Sequence, residues 1–149
     1  MARLVASFFG TGLILGKLRG ADAGSGTVSG FFALGLALLI DPGVGRVVAL
    51  LLAVLIGGLA LAALKVEDGD PPWVTIDEAA GTFLATLGLG LSGAVAGFAV
   101  FRVADIQKRW FPGVARAERL GGPVGVMADD LVAGLYGLAA GWLVQWLVG

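Results

Sequence analysis

The chain has 149 residues, of which 58% are hydrophobic and only 14% charged, with a mean hydropathy of +0.94. Soluble domains carry about 25% charged residues, so this chain lacks the polar surface of a water-soluble globule and reads as an integral membrane protein. Its formal net charge of −1 gives no general attraction to nucleic acid, and the absence of cysteine and histidine excludes disulfides, thiol nucleophiles, zinc–thiolate sites and the usual general base near neutral pH. Chemistry is left to carboxylates, Lys and Arg, Ser and Thr, and a hard, oxygen-liking cation.

The N-terminal stretch MARLVASFFGTGLILGKLRGADAG resembles a secretory signal. However, Lys17 and Arg19 lie between its apolar run and the cleavage-like Ala21-Asp22-Ala23, a placement that signal peptides avoid. It reads as a retained short helix, with Leu4–Gly16 either crossing the bilayer or lying flat. Next comes GADAGSGTVSG, a run of Gly, Ser and Thr before an apolar segment. It is either a flexible loop or a helix N-terminus that offers N–H groups to phosphate. No Gly-Lys-Ser/Thr follows, so it is not a Walker A loop.

Val28–Ile40 and Val44–Leu64 flank DPGVGR, a Pro/Gly turn, and form a helical hairpin. KVEDGDPPWVTIDE is a polar connection. The following apolar stretch, Ile76–Val100, has the glycine-dense middle LGLGLSGAVAG. Glycine weakens helices, so a break near Gly88–Gly93 is expected, with the two arms returning to the side they left. That layout puts Lys17, Arg19, Lys65, Arg102, Lys108, Arg109, Arg116 and Arg119 on one face and Arg46 on the other. The richer face is then cytoplasmic by the positive-inside rule. Met127–Val148 is the last span. Within it, Gly137-x-x-x-Gly141 permits close helix packing, either inside the chain or in a homodimer. Trp73, Trp142 and Trp146 suit interfacial anchoring. The expected fold is an all-α, polytopic integral membrane helical bundle with a broken, re-entrant helical hairpin, one membrane-embedded domain over residues 1–149.

The polar residues gather on the cytoplasmic face of this layout. Thr75-x-x-Glu78 fits a capping box, and Asp129 or Asp130 could complement a helix dipole. Capping accounts for one acid at each helix start, not for the adjacent pairs Asp77-Glu78 and Asp129-Asp130, because helical neighbours point about 100° apart. A shared cation accounts for both pairs. Arg102, Asp105 and Lys108 recur every three residues. They form either a salt-bridge ladder of little energetic consequence or part of a site at the membrane boundary, where ionisable groups are commonly functional. In the second reading Asp105 ligates metal while Arg102 and Lys108 face an anion, with Lys17 and Thr27 adding a charge and a hydroxyl. This inventory matches metal-assisted phosphoryl chemistry. Mg²⁺ takes a few carboxylates, retained waters and substrate phosphate, and a site at the bilayer surface implies a lipid phosphate.

The chain resembles the phosphatidylglycerophosphatase A family. The family's early motif, Gly-x-Gly followed by Lys-x-Pro-Gly-Thr-x-Gly-Ser, is similar to Gly10-Thr11-Gly12, Lys17 and Gly26-Thr27-Val28-Ser29-Gly30. Its Asp-Glu-x-x-Gly matches Asp77-Glu78-Ala79-Ala80-Gly81, and its Phe-Arg-x-x-Asp-x-x-Lys matches Phe101, Arg102, Asp105 and Lys108. Its Gly-Gly-x-Gly-x-Met-x-Asp-Asp-x-x-Ala-Gly resembles residues Gly121 to Gly134, with one extra residue between the glycines. The early loop departs from the pattern: it lacks the proline before Gly-Thr and ends Val-Ser-Gly. Arg109 stands where a proline commonly follows the lysine, and the histidine often found before Gly-Gly is absent. All the acids are kept.

The resemblance implies Mg²⁺-dependent removal of the terminal phosphate from phosphatidylglycerophosphate, yielding phosphatidylglycerol, at the cytoplasmic face of a bacterial inner membrane. On this reading Asp77, Glu78, Asp129 and Asp130, together with Asp105, bind Mg²⁺ directly or through water. Arg102 and Lys108 hold the phosphate, assisted by Lys17 and Thr27. Water is the preferred nucleophile, and a phospho-aspartyl enzyme is the mechanistic alternative. The rival readings are a lipid phosphatase with another head group, a small transporter, and a non-catalytic membrane subunit.

Overall fold

A computed structural model describes residues 1–13, 24–66 and 71–148. Lys17 and Arg19 lie outside the described residues. Those residues hold helices and no strand: α1 (Ala2–Ala6), α2 (Ser25–Leu39), α3 (Val44–Ala63), α4 (Ile76–Ala85), α5 (Leu91–Ile106), α6 (Val114–Glu118) and α7 (Gly122–Val148). A short 3₁₀ turn, Lys108–Trp110, follows α5. The expected hairpin is present as α2 and α3. They are joined by a turn in which the Asp41 carboxylate accepts the Gly45 amide at 3.2 Å.

The glycine-dense stretch breaks near the expected place, over residues 86–90, so the break takes in Gly88 but not Gly93. Gly88 supplies the positive φ, +71°. Gly93 stays helical because it serves packing instead. A Cβ on Gly141 would sit 2.6 Å from the Gly93 carbonyl oxygen, and one on Gly137 would sit 2.5 Å from that of Gly97. The Gly137-x-x-x-Gly141 motif is therefore spent inside the chain, facing Gly93-x-x-x-Gly97 of α5, as small residues do where helices approach closely.

The two arms of the broken segment return to one end. At that end Glu78 of α4 pairs with Arg102 of α5, and Arg102 reaches Thr27 near the start of α2. At the opposite end the break lies against the α2–α3 turn, where the Gly88 amide donates to the Pro42 carbonyl at 2.7 Å. Arg46 holds this end together. It is buried, and its guanidinium donates to the carbonyls of Ala37 and Leu89, each at 2.8 Å, and of Thr86. Gln145 accepts the Gly90 amide at 2.6 Å. Irregular backbone in an apolar setting survives only with such internal partners.

Polarity is inverted relative to a soluble bundle. Asp77, Thr82, Thr86, Asp129 and Asp130 are buried, while Phe31, Leu39, Leu55, Leu59 and Trp146 are exposed. Two helices, α3 and α7, are long and apolar enough to cross a membrane. The start of α7 corrects one expectation. The helix begins at Gly122, not Met127, so Asp129 and Asp130 lie beyond its first two turns. A macrodipole acts within the first turn and does not account for them.

The glycine contact gives a direct test of the packing. Gly137→Leu should lower the yield of monodisperse protein and its melting temperature in detergent, since overpacking costs about 1–3 kcal/mol or more. Gly58→Ala, where nothing lies within 4 Å of the added carbon, should leave both unchanged.

Candidate active site

Helical geometry sends the adjacent acids of α4 in different directions. Ile76 packs on α3, where a Cβ on Gly57 would meet it at 2.7 Å. The next two residues therefore turn away from α3. Asp77 is buried and feels the charge of Asp130 on α7. The two backbones nearly touch there, for a Cβ on Gly81 would lie 2.9 Å from the Asp130 carbonyl oxygen. Glu78 turns toward α2 and α5. Its carboxylate fills the space above Gly26, which any side chain at that position would occupy. The capping box does not form, because Thr75 makes no side-chain bond to the helix start and Glu78 is engaged by Arg102.

The carboxylates of Asp105, Asp129 and Asp130 offer oxygens that all lie within 4.8 Å of one another. Asp105 comes from the last turn of α5. It also receives Arg102, one turn earlier, at 3.0 Å. Arg102 thus bridges Glu78 and Asp105 and donates to the Thr27 hydroxyl at 3.3 Å. On the other flank the Lys108 ammonium donates to Asp129 at 2.5 Å and to Glu118 of α6 at 2.9 Å. The second Asp129 oxygen accepts the Asp130 amide at 3.0 Å. Burial opposes the Lys108 charge. The hydrogen bonds to Asp129 and Glu118 and the nearby charge of Asp105 outweigh it, so the pKa stands above the ordinary lysine value.

Of the residues singled out from sequence, Asp77, Glu78, Asp105, Asp129, Asp130, Arg102, Lys108 and Thr27 come together at one end of the bundle. Lys17 lies outside the described residues. The grouping within the site differs from the expected one. Asp105, rather than Glu78, closes the cluster with Asp129 and Asp130, and Glu78 is turned onto Arg102. Glu118 was not singled out, although it is the sole acid of a basic connector (residues 107–121). Four carboxylates are in ion pairs with the two cations, Glu78 and Asp105 with Arg102, and Asp129 and Glu118 with Lys108. The three clustered carboxylates of Asp105, Asp129 and Asp130 are the hard oxygen donors that could hold a divalent, oxygen-liking ion.

The fold is thus an apolar-surfaced helical bundle with a carboxylate cluster at one end, flanked by Arg102 and Lys108. The chain belongs to the phosphatidylglycerophosphatase A family, whose profile matches residues 4–145. It is also similar to a protein of Bacteroides thetaiotaomicron provisionally named a phosphatidylinositol-3-phosphatase, with 35% identity over 96 residues. That match covers 59% of this chain and 59% of the relative. No solved structure matches the chain.

The grouping can be checked without turnover. Mn²⁺ binding, followed by electron paramagnetic resonance, should weaken by roughly a hundredfold or more in Asp130→Asn and Asp105→Asn, beyond the loss usual for outer partners. Glu78→Gln, which acts through Arg102, should cost less than either, at most about the 10–100-fold of an outer partner.

Proposed function

We propose that the protein is a Mg²⁺-dependent lipid phosphate monoesterase that hydrolyses phosphatidylglycerophosphate to phosphatidylglycerol and phosphate. It would be a multi-pass protein of a bacterial inner membrane, with its site facing the cytoplasm. The observation that carries this reading is the convergence of Asp105, Asp129 and Asp130 within 4.8 Å, flanked by Arg102 and Lys108, in a chain of the phosphatidylglycerophosphatase A family. The apolar exterior and the two long apolar helices support the membrane assignment. The gathering of the acids at one end of the bundle, together with family membership, favours an enzyme over a transporter.

In this reading Asp105, Asp129 and Asp130 hold Mg²⁺, with Asp77 behind Asp130. When bound, the ion offsets phosphoryl charge and favours deprotonation of water. Arg102 and Lys108 bind the phosphate by exchanging part of their carboxylate contacts for phosphoryl oxygens. Arg102 presents a planar fork suited to two such oxygens, and Lys108 a point charge. Glu78 and Glu118 keep these cations aimed while the substrate is absent. Thr27 adds a hydroxyl beside Arg102. Water would attack phosphorus as the bond to the glycerol oxygen breaks; a buried carboxylate would take the proton lost by water and return it to the leaving glycerol oxygen, giving the alcohol and inorganic phosphate.

A second reading, with phosphatidylinositol 3-phosphate as substrate, is favoured by the name of the Bacteroides relative and by the altered early loop. Both substrates share a phosphate monoester on an anionic lipid.

Phosphate release in detergent micelles separates these readings. Phosphatidylglycerophosphate should be hydrolysed with Mg²⁺ and not with EDTA, and Asp130→Asn should lose roughly a hundredfold or more of the rate. Release from phosphatidylinositol 3-phosphate alone would transfer the assignment to the second reading. No release from either lipid by folded protein would overturn both.

A further inference from the structure

The connector between α5 and α7, residues 107–121, carries four cations and one acid. Lys108 and Glu118 pair with each other at 2.9 Å. The remaining cations, Arg109, Arg116 and Arg119, are exposed, and none of them is in an ion pair among the described residues. The inward arginines differ sharply: Arg46 serves three carbonyls and Arg102 two carboxylates and a hydroxyl. The placement follows from α6, which buries Val114 and Ala117 and so leaves Arg116 and Arg119 outside.

Apolar side chains are exposed among these cations. Ile106 is 63% exposed, and Trp110 and Leu120 are each 65% exposed. The Arg109 guanidinium lies over the Trp110 ring, 5.9 Å from its centre. Unpaired arginines interleaved with bare Trp, Ile and Leu suit neither bulk water nor hydrocarbon. They suit the head-group layer, where aromatic rings settle and cations meet lipid phosphates. An acidic protein partner would also suit Arg and Trp, but the place of this surface at the charged end of a bundle with an apolar exterior favours lipid.

We propose that the connector is a binding surface for anionic phospholipid head groups and gathers them at the mouth of the site through the adjoining Lys108. The proposal rests on the reading given above for the position of the bilayer, and it extends that reading from the reacting phosphate to the lipid around it.

The test uses the full chain in phosphatidylcholine nanodiscs that contain a trace of dansyl-labelled lipid, with energy transfer from tryptophan as the readout. Transfer to dansyl-phosphatidylserine should exceed transfer to dansyl-phosphatidylcholine by roughly fivefold. The excess should vanish in the triple variant Arg109→Gln/Arg116→Gln/Arg119→Gln, fall in Trp110→Phe, and be lost in the wild type on raising salt. The salt titration keeps the test decisive even where the triple variant does not fold. Equal transfer to the two lipids in the wild type overturns the proposal and leaves an acidic protein as the occupant of the surface. No turnover is involved, so a failure here is distinct from a failure of the phosphatase assignment.

Discussion

Three carboxylates crowd into a space from which water is largely excluded. Asp105, Asp129 and Asp130 present oxygens within 4.8 Å of one another, and two unit charges at that separation repel by about 3.5 kcal/mol even at an effective dielectric constant of about 20. Asp77 adds to the strain behind Asp130. Arg102 and Lys108 relieve part of it, each by bridging two acids. What remains opposes the close packing of α4, α5 and α7. An oxygen-liking cation placed among the three carboxylates would offset that repulsion.

The scaffold resists this repulsion through backbones in near contact. Gly81 against Asp130, Gly97 against Gly137, and Gly93 against Gly141 leave no room for a Cβ, so α4, α5 and α7 cannot slide apart without losing most of their mutual burial. The far end contributes as well. Arg46 binds the carbonyls of Thr86 and Leu89 and thereby stabilises the break that lets α5 return toward the start of α4. Without that return, Asp105 and Arg102 would lie at the wrong end of the bundle. A buried arginine far from the chemistry thus determines which residues meet there.

Much of this was legible in the sequence because charges are rare in it. In a chain so apolar, each acid or base away from a loop requires a partner, and Asp77, Glu78, Arg102, Asp105, Lys108, Asp129 and Asp130 did find one another. Glycine was harder to read. Gly88 and Gly93 look alike in sequence, yet the first turns the chain and the second admits a neighbouring helix. α7 starts before the apolar span because proline is tolerated in a helix's first turn, so Gly122-Pro123 opens the helix. The division of the acids between Arg102 and the cluster was not legible at all. It depends on the rotation of α4 against α5, set by Ile76 on Gly57 and by Glu78 over Gly26. Glu118, a lone acid among arginines, reads in sequence as solvated surface, and only the fold of the connector sets it against Lys108.

The central claim is that the three-carboxylate cluster is a strained site awaiting a cation, and thermal unfolding in detergent tests it most directly. Wild type in EDTA should melt below Asp130→Asn, which removes a like charge, by roughly 4 °C or more. Saturating Mg²⁺ should raise the wild-type midpoint by a similar amount and leave the variant unmoved. A wild type indifferent to Mg²⁺, together with an Asp130→Asn variant that melts lower, would show that the acids serve the fold rather than a bound ion and would contradict the account.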